Sequence, residues 1–180
     1  MPLMMSLMAT VVFAVDNDFL AESRTVVKQF GGELKKELLA SLKEGGPVNA
    51  ISVCNQKAPA IAEELSRERG WTITRTSLKP RNPRNAPNTW EQRTLELFAE
   101  RKASGEDPGS MENYQVMTVD GKQVFRYMKA IPVAEPCLTC HGQQVSPYLK
   151  SRLQELYPED RAIDFSVGEI IGAFSISIPM

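Results

Sequence analysis

Cys137-Leu138-Thr139-Cys140-His141 puts two thiols and an imidazole within one short stretch of chain. C-x-x-C-H is the attachment spacing of c-type haem. Two intervening residues hold the sulfurs at the separation of the two porphyrin vinyl groups, and each thiol adds across one vinyl. The histidine, next in chain, is then delivered to the iron as proximal ligand. Two other chemistries use Cys-x-x-Cys. A thioredoxin-like redox pair normally opens a helix after a strand in a different fold. A zinc half-site needs further ligands, and the chain has neither a second Cys-x-x-Cys pair nor another histidine. One covalently attached haem c is therefore the expected cofactor, held by Cys137 and Cys140 with His141 on the metal.

His141 is the only histidine of the 180 residues, which excludes bis-histidine ligation. The sixth iron position is left to a methionine, a cysteine, another donor, water or nothing. Met111, Met117, Met128 and Met180 follow the N-terminal run, and methionine at regular strand positions is usually core. Cys54 is the third cysteine and has no disulfide partner once Cys137 and Cys140 carry the haem. It is either a small buried hydrophobe on a helix or a thiolate on the iron, whose charge would lower the thiol pKa.

The elements that must position these groups are legible in the pattern. Leu20, Val27, Phe30, Leu34, Leu38 and Leu42 recur at helical spacing, which predicts one long amphipathic helix from Asp18 to Glu44. Gly31-Gly32 weakens its middle and Gly45-Gly46-Pro47 ends it. Asn49 is placed to cap a second helix through Cys54, and Pro59 to open a third that runs to Arg69. Trp71–Thr76 reads as a strand, and Ser77–Asn88, with three prolines, as a loop. Asn88 with Glu91 resembles a capping box for a helix from Thr89 to about Lys102. Asp120-Gly121 between alternating runs predicts a hairpin of Tyr114–Val119 and Lys122–Met128. Ser146-Pro147 starts a short helix to Tyr157, and Ile170–Ile178 is a final strand. About four mostly antiparallel strands with helices on one side make an α+β domain. The hairpin and final strand argue against an all-α bundle cytochrome, which also carries C-x-x-C-H near its end.

Lys plus Arg is 21 against 22 Asp plus Glu, a net charge of −1. That balance argues against a nucleic-acid partner, which selects an excess of cations, and the 42% apolar content argues against disorder. Met1–Ala14 is an uncharged apolar run too short to span a bilayer. It is similar to the hydrophobic part of a secretory signal peptide, with Val12 and Ala14 at the −3 and −1 positions of a cleavage site, although no basic residue precedes it. The other reading of the run is an apolar strand. Haem c is attached outside the bacterial cytoplasm. The expectation is thus a signal peptide over residues 1–14, a single haem c domain over residues 15–180, a periplasmic or otherwise exported location, and no membrane span in the mature chain.

Arg75, Lys79, Arg81 and Arg84 surround the Pro-rich loop, where Arg75 and Arg81 are the expected partners of the haem propionates. The plain alternative is a solvated basic loop. Phe125 and Tyr127 are expected pocket walls, with Trp71, Trp90 and Phe174 as further candidates, and core packing as the competing role.

Four segments in order resemble the Tll-type haem domain, a PAS-like c-type haem family. They are Ala50–Pro59, with Val53-Cys54 and Ala58-Pro59; Thr76–Pro87; Phe125–Met128 ahead of Cys137–Gly142; and Gly172–Pro179. The resemblance covers nearly all of the chain after the leader. It implies a PAS-like antiparallel sheet with flanking helices and a long N-terminal helix. It also implies one covalent haem with His141 and Cys54 as axial ligands. The family includes free-standing exported proteins and sensor portions of membrane-bound kinases, and this chain looks like the free-standing kind. Ile163-Asp164-Phe165 departs from the pattern, which has a Gly-aromatic pair there.

A thiolate–imidazole haem implies a low reduction potential and hence low-potential electron transfer or redox sensing, with an unidentified redox partner protein. The alternative is a diatomic-gas sensor in which Cys54 leaves the reduced iron. A peroxidase or nitrite reductase is the weakest reading, because no second histidine remains for acid–base work. The wide apolar stripe of the long helix either caps the sheet or pairs with a second copy, so the expected state is monomer or homodimer.

Overall fold

The computed structural model describes the backbone of residues 6–180 and the side chains of residues 18–180. Of the expected leader, Met1–Met5 lie outside the described residues, and no side chain before Asp18 is described. From Ser6 onward the run is helical, which overturns its reading as a strand.

Helix α1 runs from Ser6 to Ser52 with a break at Gly46, whose φ of 69° and ψ of −167° no helix contains. The break falls where Gly45-Gly46-Pro47 is expected to end the helix. The chain restarts as helix at Pro47, so Asn49 lies inside that second segment and does not cap it. Gly31-Gly32 leaves the helix intact. Gly31 faces the Phe174 ring, which a Cβ there would meet at 3.5 Å.

The chain then widens into a single π-turn over Val53–Lys57, closed by the Ala58 N–H on the Val53 carbonyl, and continues as α2 over Ala58–Arg69. The proline explains the widening. Pro59 has no N–H to give to the Asn55 carbonyl and its ring would strike that carbonyl in a regular helix. One extra residue in the turn lets the chain pass without ending. Cys54 sits in this wide turn.

Four strands complete the framework: β1 at Thr72–Thr76, β2 at Glu112–Val119, β3 at Lys122–Pro132 and β4 at Ile170–Pro179. They form one antiparallel sheet in the order β1-β4-β3-β2. Asp120 and Gly121 close the hairpin with φ values of 50° and 77°, the left-handed pair that matches strand twist. Helix α3 spans Thr89–Ala103 with the expected Asn88/Glu91 capping box, and α5 spans Pro147–Leu156 with the Ser146 side chain as cap. Short α4, Leu138–His141, carries the second cysteine and the histidine.

Helices cover both faces of the sheet, not one. Phe125, Tyr127, Phe174, Ile176 and Ile178 lie under α1 with Val26 and Phe30. Met128, Ala130 and Ala173 lie under α3 with Leu95, Phe98 and Met111. The alternation of β3 and β4 therefore feeds two cores, since both strands are central and apolar on each side. Full burial of each large side chain is worth roughly 1.5–3 kcal/mol. The stripe on α1 caps the sheet.

This packing corrects the pocket-wall expectation for Phe125 and Tyr127. Both are fully buried beneath α1, and the Tyr127 hydroxyl donates to Glu112 at 2.9 Å. Phe174 packs on Phe30 at a centroid distance of 5.0 Å, and Trp90 faces the Arg126 guanidinium on the other side of the sheet. Buried Met128 on β3 belongs to the α3 core, as expected of a strand methionine, and so does Met111, just before β2.

Candidate functional site

The site lies at the end of the sheet where β1 stops and β4 begins. A recess of about 120 Å³ is lined by Cys54 and His141, with Arg75, Arg81, Tyr157 and Ile171 among its other walls. Residues 54, 75, 81 and 141, distant in sequence, thus share one cavity.

His141 closes α4 and is half-buried. Its Nδ1 lies 2.8 Å from the Ala162 carbonyl oxygen. A carbonyl only accepts, so Nδ1 carries the proton and Nε2 keeps its lone pair for a metal. Burial is the largest cause, and the charge of Arg81 the next, that push the imidazole down to about 4. The ring is neutral at pH 7, the state a ligand needs.

Cys54 reaches the same recess from the π-turn. Burial pushes its thiol up, against the pull of Arg75 and Arg81. Burial also pushes the Cys140 thiol up, against the pull of Arg81. Cys137 packs with Val133, Ala162 and Phe165, and Cys140 packs with Ile51, Leu149 and Tyr157. The C-x-x-C-H turn is thereby anchored on both sides.

The two expected cations divide. Arg75, on edge strand β1, lines the recess and has no hydrogen-bonded partner among the described residues. Burial lowers its pKa, opposed by the nearby Cys54 and Tyr157. A half-buried guanidinium without an anion calls for one. Arg81 is different: its Nε donates to Asp160 at 2.8 Å, and its Nη2 to the Cys140 and Ala162 carbonyls at 2.6 and 3.1 Å. Its Nε and Nη2 are committed to protein, so Arg75 is the arginine better placed for a ligand carboxylate. Lys79 also lines the recess, and its ammonium lies over the Phe165 ring, while exposed Arg84 lines a neighbouring recess with Trp71.

Tyr157 and Phe165 were not legible as site residues. Tyr157 is the buried end of the α5 helix, and sequence pattern shows only a helix terminus there. Phe165 meets the His141 ring edge-on at 6.4 Å, and its N–H donates to the His141 carbonyl at 2.9 Å. Asp164 between them has φ 61°. The position takes the left-handed conformation a glycine adopts freely, and Asp tolerates it better than most residues. The departure from the Gly-aromatic pattern thus keeps the loop shape.

No cluster of three or more His, Cys, Asp or Glu side chains occurs among the described residues. A bare metal ion would lack ligands. A porphyrin brings its own nitrogens and needs only axial donors and counter-charges for its propionates. Cys54, His141 and Arg75 fit that requirement.

A family model described as Tll0287-like matches residues 6–179. The chain belongs to the Tll0287-like family. A solved Tll0287-like structure, that of the cyanobacterial heme-protein Tll0287, superposes with a TM-score of 0.69 at 26% identity, covering 91% of this chain and 96% of that one. No curated protein matches the sequence. The shared fold of this Tll0287-like chain is α+β: a long N-terminal helix, a four-stranded antiparallel sheet and packed helices.

Proposed function

We propose that the chain is an exported c-type monohaem protein with His141 and Cys54 as axial ligands, serving low-potential electron transfer or redox sensing and not catalysis. One observation carries this reading: a histidine whose Nδ1 is engaged by a carbonyl, a cysteine and an arginine whose side chain has no hydrogen-bond partner among the described residues meet in one recess beside the Cys137-x-x-Cys140 turn. It is supported by membership of a family with a solved heme protein.

The haem would supply a one-electron iron couple. The chain's own groups do the rest. The Cys137 and Cys140 thiols would hold the group through thioether bonds to its two vinyl substituents. Ala162 fixes the His141 tautomer. Arg75 offsets a propionate. A thiolate from Cys54 donates strongly and favours the oxidised iron, which sets a low potential. Export accounts for the apolar run at the start of the chain and for haem attachment outside the cytoplasm. We read the redox partner as a separate protein.

The alternative, gas sensing, draws on the π-turn. Such turns recur at functional sites, and one around Cys54 offers a backbone that can shift its register. Protonation of Cys54 on reduction would then free the iron for a diatomic ligand.

The test is expression in a host competent in cytochrome maturation. The denatured chain is expected to retain one haem by mass, and Cys137→Ser with Cys140→Ser to lose it. A colourless wild type contradicts the proposal. Carbon monoxide binding to the dithionite-reduced protein favours the gas-sensing alternative; failure to bind removes it.

A further inference from the structure

We propose that Arg81 is a positioning residue for His141: through the Ala162 carbonyl it limits the electron donation of the imidazole and so raises the haem potential. This rests on the haem reading above. The Ala162 carbonyl oxygen accepts from two donors, His141 Nδ1 at 2.8 Å and Arg81 Nη2 at 3.1 Å. A carbonyl has two lone pairs, so both are claimed. A hydrogen bond from ligand Nδ1–H to a strong acceptor makes the ring more basic toward the metal. A guanidinium on the same oxygen draws density away from it, and the acceptor weakens. The ring stays closer to imidazole and further from imidazolate.

Asp160 aims the fork. Its Oδ2 takes Arg81 Nε at 2.8 Å and its Oδ1 takes the Ala162 N–H at 2.8 Å. The carboxylate thus grips both the arginine and the residue whose carbonyl the arginine polarises. Arg81 and Asp160 side chains are 10% and 9% exposed, so water screens this arrangement little. The same Nη2 holds the Cys140 carbonyl at 2.6 Å, one residue before the histidine. The Pro80 carbonyl accepts from the Arg161 N–H at 3.1 Å and locks the two loops together. A pair that only anchored loops would have no need to share the acceptor of the histidine.

Three haem-loaded variants test the idea by spectroelectrochemical titration, with the hyperfine-shifted His141 Nδ1 proton followed by NMR. Arg81→Gln should shift the equilibrium towards oxidised iron by about tenfold, a fall of about 59 mV, and move the Nδ1 proton. Arg81→Lys, which keeps a cation able to reach Ala162, should recover most of the shift. Asp160→Asn keeps an acceptor for the Ala162 N–H but turns an amide NH2 toward Arg81 Nε, so the fork loses its aim and the His141 Nδ1 proton should move as it does in Arg81→Gln. Wild-type potentials in Arg81→Gln with an unmoved Nδ1 proton and only a lower unfolding midpoint would show a loop anchor and overturn the inference. Should Arg81→Gln fail to fold, Asp160→Asn decides alone, and a His141 Nδ1 proton left at its wild-type position overturns it. A colourless wild-type protein contradicts the haem reading instead, which keeps the two failures apart.

Discussion

Glu112 shows how one side chain ties distant elements together. Its carboxylate takes both Arg24 on α1, whose Nε lies 3.1 Å from each oxygen, and the Tyr127 hydroxyl on β3. The Arg24 hydrogen bond is the main cause holding the Glu112 carboxyl below the usual carboxylate range, and burial opposes it. Linkage sets the sign. The unfolded carboxyl binds its proton at higher pH than the folded one, so the stabilisation is present above the ordinary carboxylate range. It is lost as pH falls through the lower, folded value. Glu112→Gln should therefore flatten the acid limb of a stability-against-pH curve measured by urea unfolding. An acid limb as steep as wild type would contradict this. The same pair shows where residue types mislead. Tyr127 is polar-tipped, aromatic and close in sequence to the C-x-x-C-H motif, and pattern alone suits pocket and core equally. Its pairing with Ile176 under α1 decides for the core, and pairing register is not written in local sequence.

At the scale of elements, local chemistry wrote itself plainly. The Asn88/Glu91 box, the Asp120-Gly121 turn and the Ser146-Pro147 start each appear where their residues demand, because caps and turns are short-range. The π-turn was not legible. Pro59 reads locally as a helix start that demands a stop before it, and local pattern does not distinguish that stop from the wider turn that replaces it. Two-sided coverage of the sheet was hidden for a similar reason: it depends on which strands become central. Of the site, the C-x-x-C-H turn was readable as a motif from spacing, but the partners of Arg81 lie on residues 140, 160 and 162, far along the chain. Gly172 marks the seam between β1 and β4. A Cβ there would collide with the Thr76 carbonyl oxygen and meet Ser77 Cβ at 3.3 Å. Gly172→Ala should cost about 1–3 kcal/mol, as overpacking does, read as a lower urea midpoint. An unchanged midpoint would mean that the seam yields freely.

Across the whole molecule, two cores hold a rigid sheet, and the site is built beyond its end from segments that enter from separate directions. The π-turn brings Cys54, β1 brings Arg75, α4 brings His141, and the 160–165 loop brings the acceptor that orients the ring. No helix among the described residues is long and apolar enough to cross a membrane. The arrangement makes sense if one flat cofactor lies across the gap with an imidazole on one side and a sulfur on the other. Paramagnetic resonance of the oxidised haem-loaded protein, compared between wild type and Cys54→Ser, tests that most directly. Wild type is expected to give a low-spin thiolate signature that is lost in the variant while the haem stays attached. An identical spectrum in both proteins would contradict it.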